Sequence, residues 1–299
     1  MPMSSNTVQK ITVVDLLSNW LARQISQEGF DWLQEQQQKI ASSSFQRVFF
    51  SAFSAVPRYT GKQQLQLNEA DINTARENYP GWLPQFWTVD DIGRCLLVLS
   101  LAQREKEQYL QTFERVFAAA DVGELVALYQ MLPLLPYPEQ YRLRAAEGIR
   151  SNMTVVFNAV ALRNPYPARY FDELAWNQMV LKALFVGSPL HLIEGLDRRT
   201  NPALSQMLID YARERWAAGR SVSPELWRAM GAYSDRSIIP DWKLILADSE
   251  RSERLAVALA CSQCSLPEAR SLLDPYPNLK ELIDKGELSW ESIVRRGYV

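Results

Sequence analysis

The residues best suited to chemistry lie in the middle of the chain. Arg142, Arg144, Glu147 and Arg150 sit at helical spacing, so Glu147 can pair with Arg144 or Arg150. Asn152, Asn158 and Asn164 then dot an otherwise apolar run around MTVVFNAVAL, and Glu173, Asn177, Gln178 and Lys182 punctuate the next one. Glu173 and Asn177 share one helical face, as do Gln178 and Lys182. Amides and charges set among apolar side chains need hydrogen-bond partners. Either neighbouring helix ends and proline-loop backbone supply them, or a ligand-lined cavity does. A buried Lys182 with a depressed pKa suits imine or base chemistry, and Glu173 suits proton transfer. A salt bridge from Lys182 to Glu147, Asp172 or Glu173 is the structural alternative. The candidate ligand-binding set is Arg150, Asn152, Asn158, Glu173, Trp176, Asn177, Lys182 and His191, in an apolar groove beside Trp176. No catalytic or metal-ligating residue is assigned.

Several chemistries are excluded by residue type. The chain has one histidine, His191, so no metal site built on two or three imidazoles exists. A Ser–His–Asp or Cys–His arrangement would have to use His191 as its base; the surrounding Ser188-Pro-Leu-His-Leu-Ile shows no nucleophile elbow, which favours a turn or helix-end histidine. Cys261 and Cys264 form a CxxC, but it follows the apolar run LAVALA and so falls toward a helix C-terminus, where the helix dipole opposes a thiolate. Thr60-Gly61-Lys62 lacks the earlier glycine and following hydroxyl of a phosphate loop. Carboxylates in the centre form no DDxxD-like cluster, and no cofactor is implied.

Composition bounds the class further. At 299 residues, 47% apolar and 22% charged, the chain can bury a substantial core. A net charge of −2 offers no basic stripe for nucleic acid. Between Tyr141 and Arg228, however, Lys and Arg outnumber Asp and Glu by twelve to eight, a mildly basic centre able to hold an anion. Three cysteines are too few and too odd in number for a disulfide framework. No apolar stretch reaches the roughly 18 residues of a membrane span, and the apolar run Ile11 to Val14 is too short for a signal-peptide core. A cytoplasmic protein is expected.

The elements that would carry these residues are all helical. Val8 to Ala41 reads as two amphipathic helices hinged at Gly29, and Phe45 to Val56 as a third that stops at Pro57. Leu65 and Leu67 alternate with glutamines in a short extended piece. Thr88 with Asp91, and Asp121 with Glu124, have capping-box spacing. Asn201-Pro202 opens a helix ending near Gly219, and Ser223-Pro224 another ending near Gly231. Asn164 to Gly187 holds a helix apolar around most of its circumference, which predicts an interior helix enclosed by others. With no strand–helix alternation, the expected fold is all-α, an irregular α–α superhelix or array of helix pairs. Its expected division is a main helical domain over 1–231 and a C-terminal helical extension over 232–299.

The words ADVGELVALYQMLPLLPYPEQ, RAAEGIRSNMTVVFNAVALRNPYP, FDELAWNQMVLKALFVG and ERWAAGRSVSPELWR resemble the EboA family. PRYTGK and PGWLPQFWTVDD extend the similarity, which covers about 45–231. The resemblance implies a protein of bacterial secondary-metabolite gene clusters, the cyanobacterial sunscreen pathway among them, linked to passage of a precursor out of the cytoplasm. Neighbouring products in such clusters resemble a membrane prenyltransferase, a TatD-like metal hydrolase, a sugar-phosphate-cyclase-like enzyme and a TIM-barrel protein. The resemblance transfers no catalytic residue. The expected function is a non-enzymatic helical binding or adaptor protein in metabolite traffic, holding a small metabolite or a partner from the same cluster. The alternative is a cofactor-independent enzyme with a helical cavity, acting on a lipidic or aromatic precursor through Lys182 or Glu173.

Overall fold

The computed structural model describes residues 11–41, 45–230 and 233–297. The described residues form α-helices, short 3₁₀ turns and loops, with one isolated antiparallel bridge, Gln64 to Thr88, and no strand. The fold is all-α. The chain divides into two compact units, one ending at Tyr166 and the other beginning at Pro167.

The first unit holds α1 (Val13–Ala22), α2 (Gln27–Ile40), α3 (Phe45–Thr60), α4 (Glu69–Asn78), α5 (Val89–Ser100), α6 (Lys106–Ala119), α7 (Val122–Met131), α8 (Arg142–Arg150) and α9 (Thr154–Ala161). Its centre is α5, buried at every position from Val89 to Leu99 and packed on α1, α2, α3 and α7. The helix can be interior because its acids find partners close by in the chain. Thr88 and Asp91 form the capping box, and Arg94 pairs with Asp90 while its guanidinium lies 5.7 Å from the centre of the Phe53 ring.

Two helix boundaries differ from the sequence expectation. The break between α1 and α2 lies at Arg23 to Ser26, where Ser26 accepts from Gly29 N, and Gly29 sits inside α2. Its role is clearance: a Cβ there would meet the Tyr59 carbonyl oxygen at 2.3 Å, so only glycine lets α2 lie this close to α3. Helix α3 does not stop at Pro57 but runs on to Thr60, whose hydroxyl donates to Val56 O at 3.1 Å.

The segment after α10 (Tyr166–Tyr170), which spans the division, begins the second unit. It contains α11 (Glu173–Val186), α12 (Pro202–Ala217), α13 (Glu225–Met230), α14 (Ile239–Asp248), α15 (Arg251–Gln263), α16 (Pro267–Ser271), α17 (Pro277–Asp284) and α18 (Trp290–Arg295). Helix α15 is its centre, buried from Leu255 to Cys261 and contacting α13, α14, α16, α17 and α18. Helix α11 is not enclosed on all sides as its composition suggests. Leu174 is 66% and Phe185 79% exposed, and Glu173 and Gln178 are exposed with them. Leu174 and Phe185 are eleven residues apart, three full turns, so they share one outward stripe while Trp176, Met179, Val180 and Ala183 face inward.

Candidate functional site

In the first unit the connector before α5 is fixed from two sides. Leu65 N donates to Trp87 O at 2.9 Å and Val89 N to Gln63 O at 3.0 Å, while Gln64 Nε2 donates to both Gln85 O and Trp87 O at 2.9 Å. The expected extended piece at Leu65 thus exists as a brace for Phe86 and Trp87. Behind Trp87 lie Trp82, edge-on at 5.5 Å, and Trp20 stacked on Trp82 at 5.8 Å.

Helices α7, α8 and α9 supply the facing wall. Gly148 lets α8 close on both neighbours: a Cβ there would meet Val160 Cγ2 at 2.6 Å and Tyr129 Cε1 at 2.8 Å. The chain leaving α9 is clamped by Asn164, which is 3% exposed. Its Nδ2 donates to Tyr129 O at 3.0 Å and Ala159 O at 2.9 Å, and its Oδ1 accepts from Tyr166 N at 2.9 Å. Tyr141 and Tyr166 hydroxyls donate to Pro136 O and Pro138 O, both at 2.5 Å, so the proline-rich connector before α8 is pinned as well.

Between these walls is a cleft of about 220 Å³. Leu83, Val126 and Leu162 give it apolar sides, Phe86 and Trp87 aromatic ones, and Gln130, Asn158 and Arg163 its polar groups. Arg163 is the singular member. Its φ is +54°, the left-handed region that a non-glycine residue rarely occupies and that costs about 1 kcal/mol or more. Its guanidinium stacks 3.8 Å from the centre of the Phe86 ring. Among the described residues no carboxylate pairs with it, and its buried Nε–H has no hydrogen-bond partner. Burial lowers its pKa from the ordinary arginine value, with no acid nearby to raise it. Gln130 Oε1, also buried, has no partner either. The lining offers hydrogen bonds, a cation and ring faces, and contains no carboxylate, imidazole, thiol or amine.

The eight sequence candidates divide between the units. Arg150, the last residue of α8, and Asn152 beyond it are exposed, whereas Asn158 lines the cleft. The other five belong to the second unit. Glu173 is exposed at the first turn of α11. Trp176 is wholly buried, with the Arg199 guanidinium 4.8 Å from its ring centre. Arg199 in turn donates to Pro167 O and Phe171 O, fixing the approach to α11. Asn177 exchanges two hydrogen bonds with Asn201, at 3.1 and 2.8 Å, and Asn201 caps α12 through Leu204 N at 2.8 Å. A neighbouring helix end therefore supplies its partner. Lys182 is half-buried, and burial lowers its pKa from the ordinary lysine value. His191 lies in a single 3₁₀ turn, its Nδ1 2.8 Å from Glu225 Oε1, and that buried carboxylate also accepts from Leu190 N at 2.8 Å and His191 N at 2.6 Å.

Phe86, Gln130 and Arg163 were not among the sequence candidates. One signal pointed to Arg163: no acidic residue occurs between Glu147 and Asp172, while Arg150, Arg163 and Arg169 do. A cation so placed has no local acid at helical spacing.

Fold and cleft together define an all-α protein with a small, polar-tipped, aromatic-walled recess. Residues 13–231 match the family described as metabolite traffic protein EboA, and the chain belongs to that family. Comparison with curated proteins and with solved structures gave no match. Among the described residues no group of three His, Cys, Asp or Glu is placed to hold a metal ion, and no helix is long and apolar enough to cross a membrane.

Proposed function

We propose that the protein is a non-enzymatic binding protein that holds a small metabolite in the Arg163 cleft and hands it on. One observation carries this: a strained, half-buried arginine stacked on Phe86 with no acid paired to it. Strained backbone with an uncompensated charge is costly, and such features persist where a ligand uses them. The family description, metabolite traffic, supports handling rather than conversion, as does a lining free of groups that exchange protons near neutral pH. The resemblance to secondary-metabolite clusters extends the proposal to a cytoplasmic step in moving a precursor, with cluster products, such as the membrane prenyltransferase-like protein, as recipients.

The test is retention. The full chain, incubated with a metabolite extract of its own cells, is desalted and examined by native mass spectrometry. A small molecule retained and recovered chemically unchanged is expected, and Val126→Trp, which fills the cleft, should abolish retention. A retained molecule released in altered form, or retention indifferent to the cleft-filling substitution, would overturn the proposal.

A further inference from the structure

We infer that the cleft selects a small flat organic anion, a planar carboxylate on an apolar or aromatic body. This rests on the binding role proposed above and narrows it to a ligand class. The guanidinium of Arg163 has one face on Phe86, at 3.8 Å from the ring centre. Stacking occupies a face and leaves the N–H edge, whose fork matches the two oxygens of a carboxylate. Arg163 is the one charged group lining the cleft, and among the described residues no carboxylate pairs with it. A ligand that satisfies the guanidinium edge must accept hydrogen bonds and carry negative charge there.

The remaining lining sets the ligand's shape. Phe86 and Trp87 present ring surfaces, and Leu83, Val126 and Leu162 present aliphatic ones, so the body behind the carboxylate is flat and apolar. A volume of about 220 Å³ lies below the roughly 300–1,000 Å³ of drug-sized pockets and accommodates a single ring or the acidic head of a larger molecule. Free phosphate fits poorly: it is tetrahedral, fully hydrated and ordinarily held by several donors, whereas one cation among aromatic walls is present here.

The backbone at Arg163 makes a decisive test possible. Glycine adopts φ near +54° freely, so Arg163→Gly removes the charge and the strain together. A merely structural arginine would leave a less stable protein. A ligand-binding one leaves a protein as stable or more stable that has lost its ligand.

Tryptophan fluorescence of the full chain is titrated with 4-aminobenzoate, benzoate, 4-aminobenzamide and inorganic phosphate. 4-Aminobenzoate should bind about tenfold or more tightly than its uncharged amide, since one charge-assisted contact is lost. Benzoate, which keeps the carboxylate, should also bind more tightly than the uncharged amide, and phosphate should not compete. Arg163→Gly should hold or raise the Tm and erase the preference for acid over amide. Arg163→Gln, which also removes the charge, repeats the second readout should the glycine variant fail to fold. Equal binding of acid and amide, an undiminished preference in either variant, or competition by phosphate would overturn the ligand class, as would no binding by any probe. The binding role itself is judged separately, by metabolite retention: it falls if the retained molecule is released in altered form or if Val126→Trp leaves retention unchanged.

Discussion

Asn164→Ala should be among the most damaging single substitutions in the first unit. The side chain makes three buried hydrogen bonds, to Tyr129 O, Ala159 O and Tyr166 N, at 2.9 to 3.0 Å. Each neutral bond contributes about 0.5–1.5 kcal/mol, and a buried N–H left unpaired at Tyr166 adds a desolvation cost of about 1–3 kcal/mol. Tyr129 O keeps a second donor from Leu132 N, so part of the loss is absorbed. The net expectation is about 2–4 kcal/mol, or a fall of about 5–15 °C in the melting of that unit. Asn152→Ala is the internal control. It lies twelve residues earlier in the same apolar stretch but is exposed, and should cost less than about 0.5 kcal/mol. Urea unfolding followed by tryptophan fluorescence compares the two. A double substitution of Asn164→Ala with Arg163→Gly should cost less than the sum of the two singles, because the clamp holds the left-handed turn that glycine no longer resists. Equal stability of the Asn164 and Asn152 variants, or strict additivity with Arg163→Gly, would refute this account of how Arg163 is held.

Three further outcomes are expected. Gly148→Ala should destabilise by about 1–2 kcal/mol despite alanine's better helix propensity, because its Cβ lands on Val160 and Tyr129; unchanged chemical denaturation would show that α8 can simply shift. Burial raises the pKa of Asp91, so its proton is bound more tightly in the folded state than in the unfolded one. Its contribution to stability is therefore fully present below the ordinary aspartate pKa and is lost as pH rises through the folded value; Asp91→Asn should gain stability relative to the natural chain as pH rises above the ordinary aspartate pKa, and a flat difference would contradict the burial. Burial pushes the Cys261 thiol up to about 12 and raises Cys95 further, so at pH 8 a thiol-disulfide reagent should react with neither until denaturant is added; a rapid stoichiometric burst from native protein would overturn that expectation.

Local signals were readable in the sequence where a short range of residues settles the structure. Thr88 with Asp91 and Asp121 with Glu124 form the capping boxes their spacing announces, and Asn201-Pro202 opens α12 where expected. The all-helical class follows from the same local evidence. Burial was less legible because it belongs to the environment. Helix α11 carries enough leucine and phenylalanine to suggest an interior element, yet Leu174 and Phe185 face outward; α5, with Asp90, Asp91 and Arg94, looks less apolar and is the buried one. Arg94 pairs with Asp90 one turn away and Asp91 is taken up by the capping box, arrangements that composition does not display. Of the cleft's lining, the sequence candidates included Asn158 alone, although the lack of a nearby acid was a readable signal at Arg163. What distinguishes Phe86 and Arg163 is a contact across 77 residues and a backbone angle, neither encoded in spacing.

The single imidazole of this chain gives the second unit a built-in spectroscopic beacon. A one-dimensional proton spectrum in heavy water contains one pair of histidine ring resonances, assigned without isotopes or mutagenesis. Since that ring rests on Glu225 beside the start of α13, its shift tracks whether the 3₁₀ turn stays docked, and any cargo, recipient or mutation that disturbs the second unit can be watched through that one signal.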